Sequence, residues 1–239
     1  MFRIIAIAGI GAALLAPLVH LVLFGPKRVG PGDKKRTVRR FTFWERFCHV
    51  LTVSCFLTLG ITGFIAVIVQ HSPLRGWLWV IHMVAAPLFV LGLCGVLVSW
   101  ARDARFASCD IEWALKFGGY LWGEKHAPAD RFNGGQKAYF WTVGLLGLVS
   151  LVSGLGRFAP MFDGPSQELL YQVHRYSALL FVMAAIVHLY LGTLTNPGTL
   201  GAMLTGKVSR PWAEAHHPIW WKRIRETVDC VDEVDGLRR

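Results

Sequence analysis

The sequence predicts an all-α integral membrane protein, a four-helix transmembrane bundle with one extra N-terminal transmembrane helix. Three observations predict it. Of 239 residues, 54% are hydrophobic and only 17% are charged, where an ordinary soluble domain is roughly 45–50% apolar and about 25% charged. The apolar residues fall in five blocks, each long enough to cross a bilayer at about 1.5 Å per residue. Of the 25 lysines and arginines, 21 lie in segments that this arrangement places on one side of the membrane and four on the other, which marks the first side as cytoplasmic.

Residues 4–24 are the first block, an apolar run of 21 that contains Pro17 and His20 and is preceded only by Arg3. It is longer than a secretory h-region. We read residues 1–25 as a retained transmembrane helix or uncleaved signal-anchor with a periplasmic N-terminus, because a cleaved signal peptide would send the next segment outward. That segment, 26–46, is a basic cytoplasmic linker with eight cations: Lys27, Arg28, Lys34, Lys35, Arg36, Arg39, Arg40 and Arg46. Blocks at 47–69, 77–100, 138–156 and 172–194 build the bundle within 47–195. Its cytoplasmic loop, 101–137, holds six cations, and the cytoplasmic tail, 196–239, holds seven. The loop contains an amphipathic stretch from Ile111 to Trp122 with Trp113, Phe117 and Tyr120. It reads as a helix lying on the membrane interface, or as a docking surface or lid. Arg3, Arg75, Arg157 and Arg175 are the outer cations.

The net charge of +10 is accounted for by these basic loops, and no motif points to nucleic acid. The five cysteines form no CxxC or CxxCH, which argues against a covalent c-type haem, an iron–sulfur cluster or a disulfide framework. Paired small residues, Gly60 and Gly63, Gly92 and Gly95, Gly144 and Gly147, permit close helix packing or leave room for a flat cofactor.

Ionisable side chains inside a bilayer are costly, so each is a functional candidate. The bundle carries four histidines: His49, His82, His174 and His188. His174 and His188 lie 14 residues apart on one helix, about 21 Å along its axis and within about 40° of the same face. Matching depths pairs His82 with His174 near the outer side and His49 with His188 near the inner side. Two histidine pairs at two depths suit bis-histidine ligation of two noncovalent b-type haems. A single intramembrane histidine also reads as a satisfied polar residue or a proton-relay member. A metal transporter using histidines is the competing class, yet such a site calls for acidic partners that the spans nearly lack. Arg46 and Arg175 lie beside His49 and His174, where they suit haem propionates or plain interfacial anchoring. His216 and His217, before Pro218, read as an exposed polar turn.

The residues that carry these features resemble the cytochrome b (gamma) subunit of membrane-bound formate dehydrogenases. The resemblance rests on "RFTFWERFCHV" with His49, the His82 helix, "RFNGGQK" at 131–137, the His174 and His188 pair, and "GKVSRPWAEAHHPIWW" at 206–221, and covers about residues 39–222. The histidine spacing alone is shared with hydrogenase cytochrome b subunits. The resemblance implies two haem b groups, the outer held by His82 and His174 and the inner by His49 and His188. It implies a quinone substrate, menaquinone or ubiquinone, reduced near the cytoplasmic side by a site that maps onto Asn133, Gly135, Gln136 and His188. The implied partners are an iron–sulfur (beta) subunit, a molybdenum or tungsten catalytic (alpha) subunit that oxidises formate, membrane lipid, and further copies of the complex. The implied location is the bacterial inner membrane. Asn and Gly also favour turns, so "NGGQK" reads equally as a helix cap.

Overall fold

The computed structural model describes residues 1–27, 35–121, 127–157 and 162–237, with backbone alone over 230–237. Arg28, Lys34, Trp122, Lys125, His126, Arg238 and Arg239 lie outside the described residues.

All five expected spans are helices long and apolar enough to cross a membrane. They are α1 (Phe2–Phe24), α2 (Phe43–Phe64), α3 (Gly76–Trp100), α5 (Gly134–Gly156) and α6 (Gly164–Tyr190). The ends of α2 and α6 continue as π-helical turns at Ile65–Gln70 and Leu191–Thr195. Three helices begin a full turn or more before their apolar blocks, at Phe43, Gly134 and Gly164. Hydropathy marks only the part of a helix that meets lipid, whereas capping sets where the helix starts. Asp163 Oδ1 accepts the Ser166 amide at 2.9 Å, and this cap supports two polar turns ahead of the apolar part of α6.

The chain divides into two compact units. The first comprises Met1–Val19, Trp44–Trp100 and Tyr139–Tyr190. Its core gathers Cys55, Phe89, Leu93, Val143 and Phe181. Small residues bring the helices together: a Cβ on Gly95 would meet Cys48 Sγ, and one on Gly147 would meet Leu93 Cδ2. Phe2 and Ala6 of α1 pack on Leu179 of α6, and Gly9 lies against Met183. The contacts advance together along both helices, so α1 runs parallel to α6. At most 28% of the most apolar window of any span is buried inside the protein. The remainder is apolar surface that only a lipid solvent would tolerate.

The second unit comprises His20–Phe43, Ala101–Ala138 and Leu191–Arg239. Here the linker and tail are more structured than hydropathy suggested. β1 (Arg36–Arg39) pairs antiparallel with β2 (Lys207–Ser209), aligning Val38 with Val208 and Arg39 with Lys207. Both valines are buried, so a strand pattern of only four residues suffices once its partner arrives. The expected amphipathic stretch begins earlier, as α4 (Ser108–Leu115). It ends before a turn in which Gly118 and Gly119 have φ of +64° and +73°, a conformation that glycine adopts without strain. The tail forms α7 (Thr199–Thr205), α8 (Arg210–His216) and α9 (Pro218–Leu237).

Candidate functional site: two histidine pairs in the bundle

The four bundle histidines meet in the expected pairs. The ring centres of His82 and His174 are 6.4 Å apart, with planes at 63°. Those of His49 and His188 are 6.5 Å apart, with planes at 52°. An iron between two imidazoles needs a metal–nitrogen bond of about 2 Å on each side, and each nitrogen lies about 1 Å from its ring centre, so the centres should be roughly 6 Å apart. Both pairs fit. Among the described residues, no three His, Cys, Asp or Glu side chains gather as a metal-ion site.

The His82–His174 pair has its second ring nitrogens anchored. His174 Nδ1 lies 2.9 Å from the Ser150 carbonyl. A carbonyl only accepts, so Nδ1 carries the proton and Nε2 keeps its lone pair. Thr62 Oγ1 donates to the Thr58 carbonyl at 2.8 Å and lies 2.8 Å from His82 Nδ1. With its one proton so engaged, Thr62 accepts from His82 and leaves Nε2 as the available donor. Metal-bound histidines are oriented by this kind of second bond. Glycines let the rings lie against neighbouring backbone: a Cβ on Gly154 would stand 3.3 Å from His174 Cε1, and one on Gly63 3.8 Å from His82 Cε1.

The His49–His188 pair is held by ring packing. His188 stacks on Tyr139 with centres 4.1 Å apart and planes at 4°, and His49 lies 6.0 Å from the Trp100 ring. The Trp100 indole N–H donates to Glu45 Oε1 at 2.8 Å, fixing the indole against α2. Phe56, Phe89 and Phe181 lie seven residues along their helices from His49, His82 and His174. The three rings cluster, with Phe181 4.6 Å from Phe56 and 5.9 Å from Phe89. An aromatic layer therefore separates the two histidine levels.

The two candidate propionate partners differ. Arg175 donates to Gln172 Oε1 and lies 4.6 Å over the Phe2 ring and 4.9 Å over Tyr171. Arg46 is half-buried in the first turns of α2.

In the second unit, "NGGQK" is a helix cap. Asn133 Oδ1 accepts the Gln136 amide at 2.9 Å, and Gln136 Oε1 accepts the Asn133 amide at 3.1 Å, a reciprocal box at the start of α5. Among the described residues only the two carbonyl oxygens are engaged, which leaves both side-chain NH₂ groups as donors for another acceptor. The glycines have a packing reason: a Cβ on Gly135 would fall 2.6 Å from the Trp113 ring, and one on Gly134 2.9 Å from it.

Several residues that the sequence left aside prove central to this unit. Lys137 and Asp110 form a buried ion pair at 2.7 Å, and the same Asp110 oxygen caps α4 by accepting the Ala107 amide. His216 and His217 were expected in an exposed turn and are instead buried. They sit where α8 meets the loop: His217 Nδ1 donates to the Asp130 carbonyl at 2.6 Å, and His216 Nδ1 to Trp212 at 3.0 Å while its ring stacks on that indole. Burial above all, aided by the charges of Lys27 and Arg40, holds His216 down to about 4 against the pull of its bond to Trp212. His217 is pushed well below the usual range by burial and by Arg40. The run of two histidines, a proline and two tryptophans at 216–221 was the available signal. His20 also has a partner, since Nε2 donates to the Tyr120 carbonyl at 3.1 Å.

Residues 40–206 match the family described as prokaryotic cytochrome b561. The chain is 27% identical to the nitrate-inducible formate dehydrogenase cytochrome b556(Fdn) subunit of Escherichia coli (strain K12), over 86% of this chain and 100% of that protein. It is 27% identical to the formate dehydrogenase cytochrome b556(fdo) subunit of the same strain, over 82% and 97%. It is 33% identical to the formate dehydrogenase cytochrome b556 subunit of Haemophilus influenzae, over 80% of this chain and 86% of that one.

Proposed function

This chain belongs to the prokaryotic cytochrome b561 family and groups with the cytochrome b556 subunits of formate dehydrogenases; from that premise we propose that it is the quinone-reducing subunit of such a complex, taking electrons from an outer iron–sulfur subunit and passing them through two b-type haems to a quinone near the cytoplasmic side. Formate oxidation belongs to a separate molybdenum or tungsten subunit. The observation that carries the proposal is the pair of His–His separations, 6.4 and 6.5 Å, at two levels of one bundle.

Each haem supplies a one-electron carrier. The chain's own residues supply the rest. His82 and His174 present Nε2 lone pairs because Thr62 and the Ser150 carbonyl hold their Nδ1 protons. His49 and His188 serve the inner haem, with Tyr139 fixing the His188 ring face-on. Arg46 and Arg175 lie at the inner and outer ends of this set, where their cations suit propionates. A quinone carbonyl gaining electron density is stabilised by hydrogen-bond donors, and the free amide protons of Asn133 and Gln136 are such donors. Gly135 lies between them in sequence. Consumption of protons on the cytoplasmic side while formate is oxidised outside would charge the membrane.

The test is a reduced-minus-oxidised spectrum of the solubilised complex with formate as reductant, joined to a pyridine haemochrome count. Two b haems per chain, reduced by formate and reoxidised by added quinone, are expected. A well-folded complex with one haem or none, or with haems that respond to hydrogen and ignore formate, would overturn the proposal.

A further inference from the structure

The second unit contains a cavity of about 410 Å³ whose lining includes Arg39, Arg40, Phe41, Arg131, Trp220 and Ile224. That volume is in the range of small-molecule sites. Its two kinds of wall are chemically opposed. One carries three arginines, of which Arg131 is paired with Asp103 at 2.5 Å. Arg40 is 3% exposed, and among the described residues no carboxylate pairs with it. Its Nη2 donates to the Arg131 carbonyl at 3.0 Å, and its Nε and Nη1 have no hydrogen-bond partner. Burial and the neighbouring Arg131 push it down to about 9, and no carboxylate opposes them. A buried cation that lacks a counter-charge is costly, so the wall is set up for an anion.

The other wall is apolar. Trp220, Ile224 and Val228 recur at four-residue intervals on α9 and line the cavity together with Phe41. The cations Lys222, Arg223 and Arg225 of the same helix are exposed. This is the pattern of a helix lying at a membrane interface. In sequence, Arg39 to Thr42 lead directly into the span that begins at Phe43.

We propose that this cavity binds one anionic phospholipid, with its phosphate on the arginine wall and its glycerol and upper acyl chains against Phe41, Trp220 and Ile224. A free phosphate would satisfy the cations and leave the apolar wall without a function; the amphiphile uses both. Basic pockets beside transmembrane helices on the cytoplasmic side suit such headgroups.

The test uses the intact purified complex, delipidated in detergent. Phosphatidylglycerol, phosphatidylcholine or inorganic phosphate is added at equal concentration. Bound lipid is counted by native mass spectrometry and thermal stability is followed in parallel. Retention of phosphatidylglycerol over phosphatidylcholine, with stabilisation by the former alone, is expected. Arg39→Glu reverses an exposed charge and spares the packed Arg40, so folding is preserved. It should lower phosphatidylglycerol occupancy at least about tenfold. Ile224→Asp should do the same from the apolar side, while Arg225→Gln, outside the cavity, should retain binding. Equal retention of the two lipids, or unchanged occupancy in Arg39→Glu, would overturn the site. Stabilisation by inorganic phosphate equal to that by phosphatidylglycerol would assign the cavity to a free anion and overturn the lipid.

Discussion

Thr62→Val tests how the outer histidine pair is oriented. Valine nearly reproduces the shape of threonine, and Thr62 is 4% exposed, so packing changes little. The variant loses the oxygen that accepts from His82 Nδ1 at 2.8 Å. A buried N–H left without an acceptor costs about 1–3 kcal/mol. Loss of a bond that orients a metal-bound histidine typically lowers affinity about 10–100-fold, or about 1.4–2.7 kcal/mol. The two figures agree, so the outer haem should dissociate about 10–100 times faster. His174 is the internal reference on the same haem, because its acceptor is the Ser150 backbone carbonyl, which side-chain substitution spares. Ser150→Ala should therefore leave the outer haem in place. Haem transfer to an excess apo-globin measures loss, and redox titration separates the two haems by potential. Thr62→Ser should restore the wild-type rate, and the inner haem should be unaffected throughout. Wild-type rates and potentials for both haems in Thr62→Val would refute the orienting role of Thr62.

Lys137→Met strands Asp110 in a buried site, so it should destabilise the second unit by about 3–5 kcal/mol, read as a lower thermal midpoint with both haems retained. Gly135→Ala drives a methyl into the Trp113 ring, at a cost of about 1–3 kcal/mol; Trp113→Leu in the same chain should recover part of the loss if packing is the reason for the glycine. Asn133→Ala should keep both haems and raise the KM for quinone. An unchanged KM alongside a stability loss of about 1 kcal/mol would leave Asn133 with its cap alone. His216 titrates near 4 folded and near 6.5 unfolded. Between these values the unfolded chain binds more protons, so stability should rise with pH over that window and be complete above it. The amplitude is about 3 kcal/mol, and thermal midpoints of wild type and His216→Gln should converge as pH falls toward 4 if burial of a neutral ring is the cause.

The spans, their number and the pairing of the histidines were legible because each depends on neighbours in sequence. A block of apolar residues reports its own solvent, and a 14-residue interval reports its own rise and rotation. The small-residue pairs were ambiguous, and the structure divides them: Gly95 and Gly147 serve helix contact, while Gly63 faces the His82 ring. The "NGGQK" segment was also ambiguous. The cap engages the amide oxygens and leaves the amide protons available, so capping and quinone contact are compatible in the same two side chains.

The membrane fold and the pairing of four histidines were thus legible in the sequence through local hydropathy and helical period, and the family through the resemblance of its motifs. Only the tertiary structure decided which ring nitrogen of His174 and His82 is left to a metal, because their partners, Ser150 and Thr62, come from other helices. It also decided that Arg36–Arg39 and Lys207–Ser209 form a sheet, that His216 and His217 are buried, and that Arg40 lines a cavity without a counter-charge. The physical reason is common to all four. Polar side chains and short strands take their state from whatever lies opposite, and for these residues that neighbour lies far away in sequence.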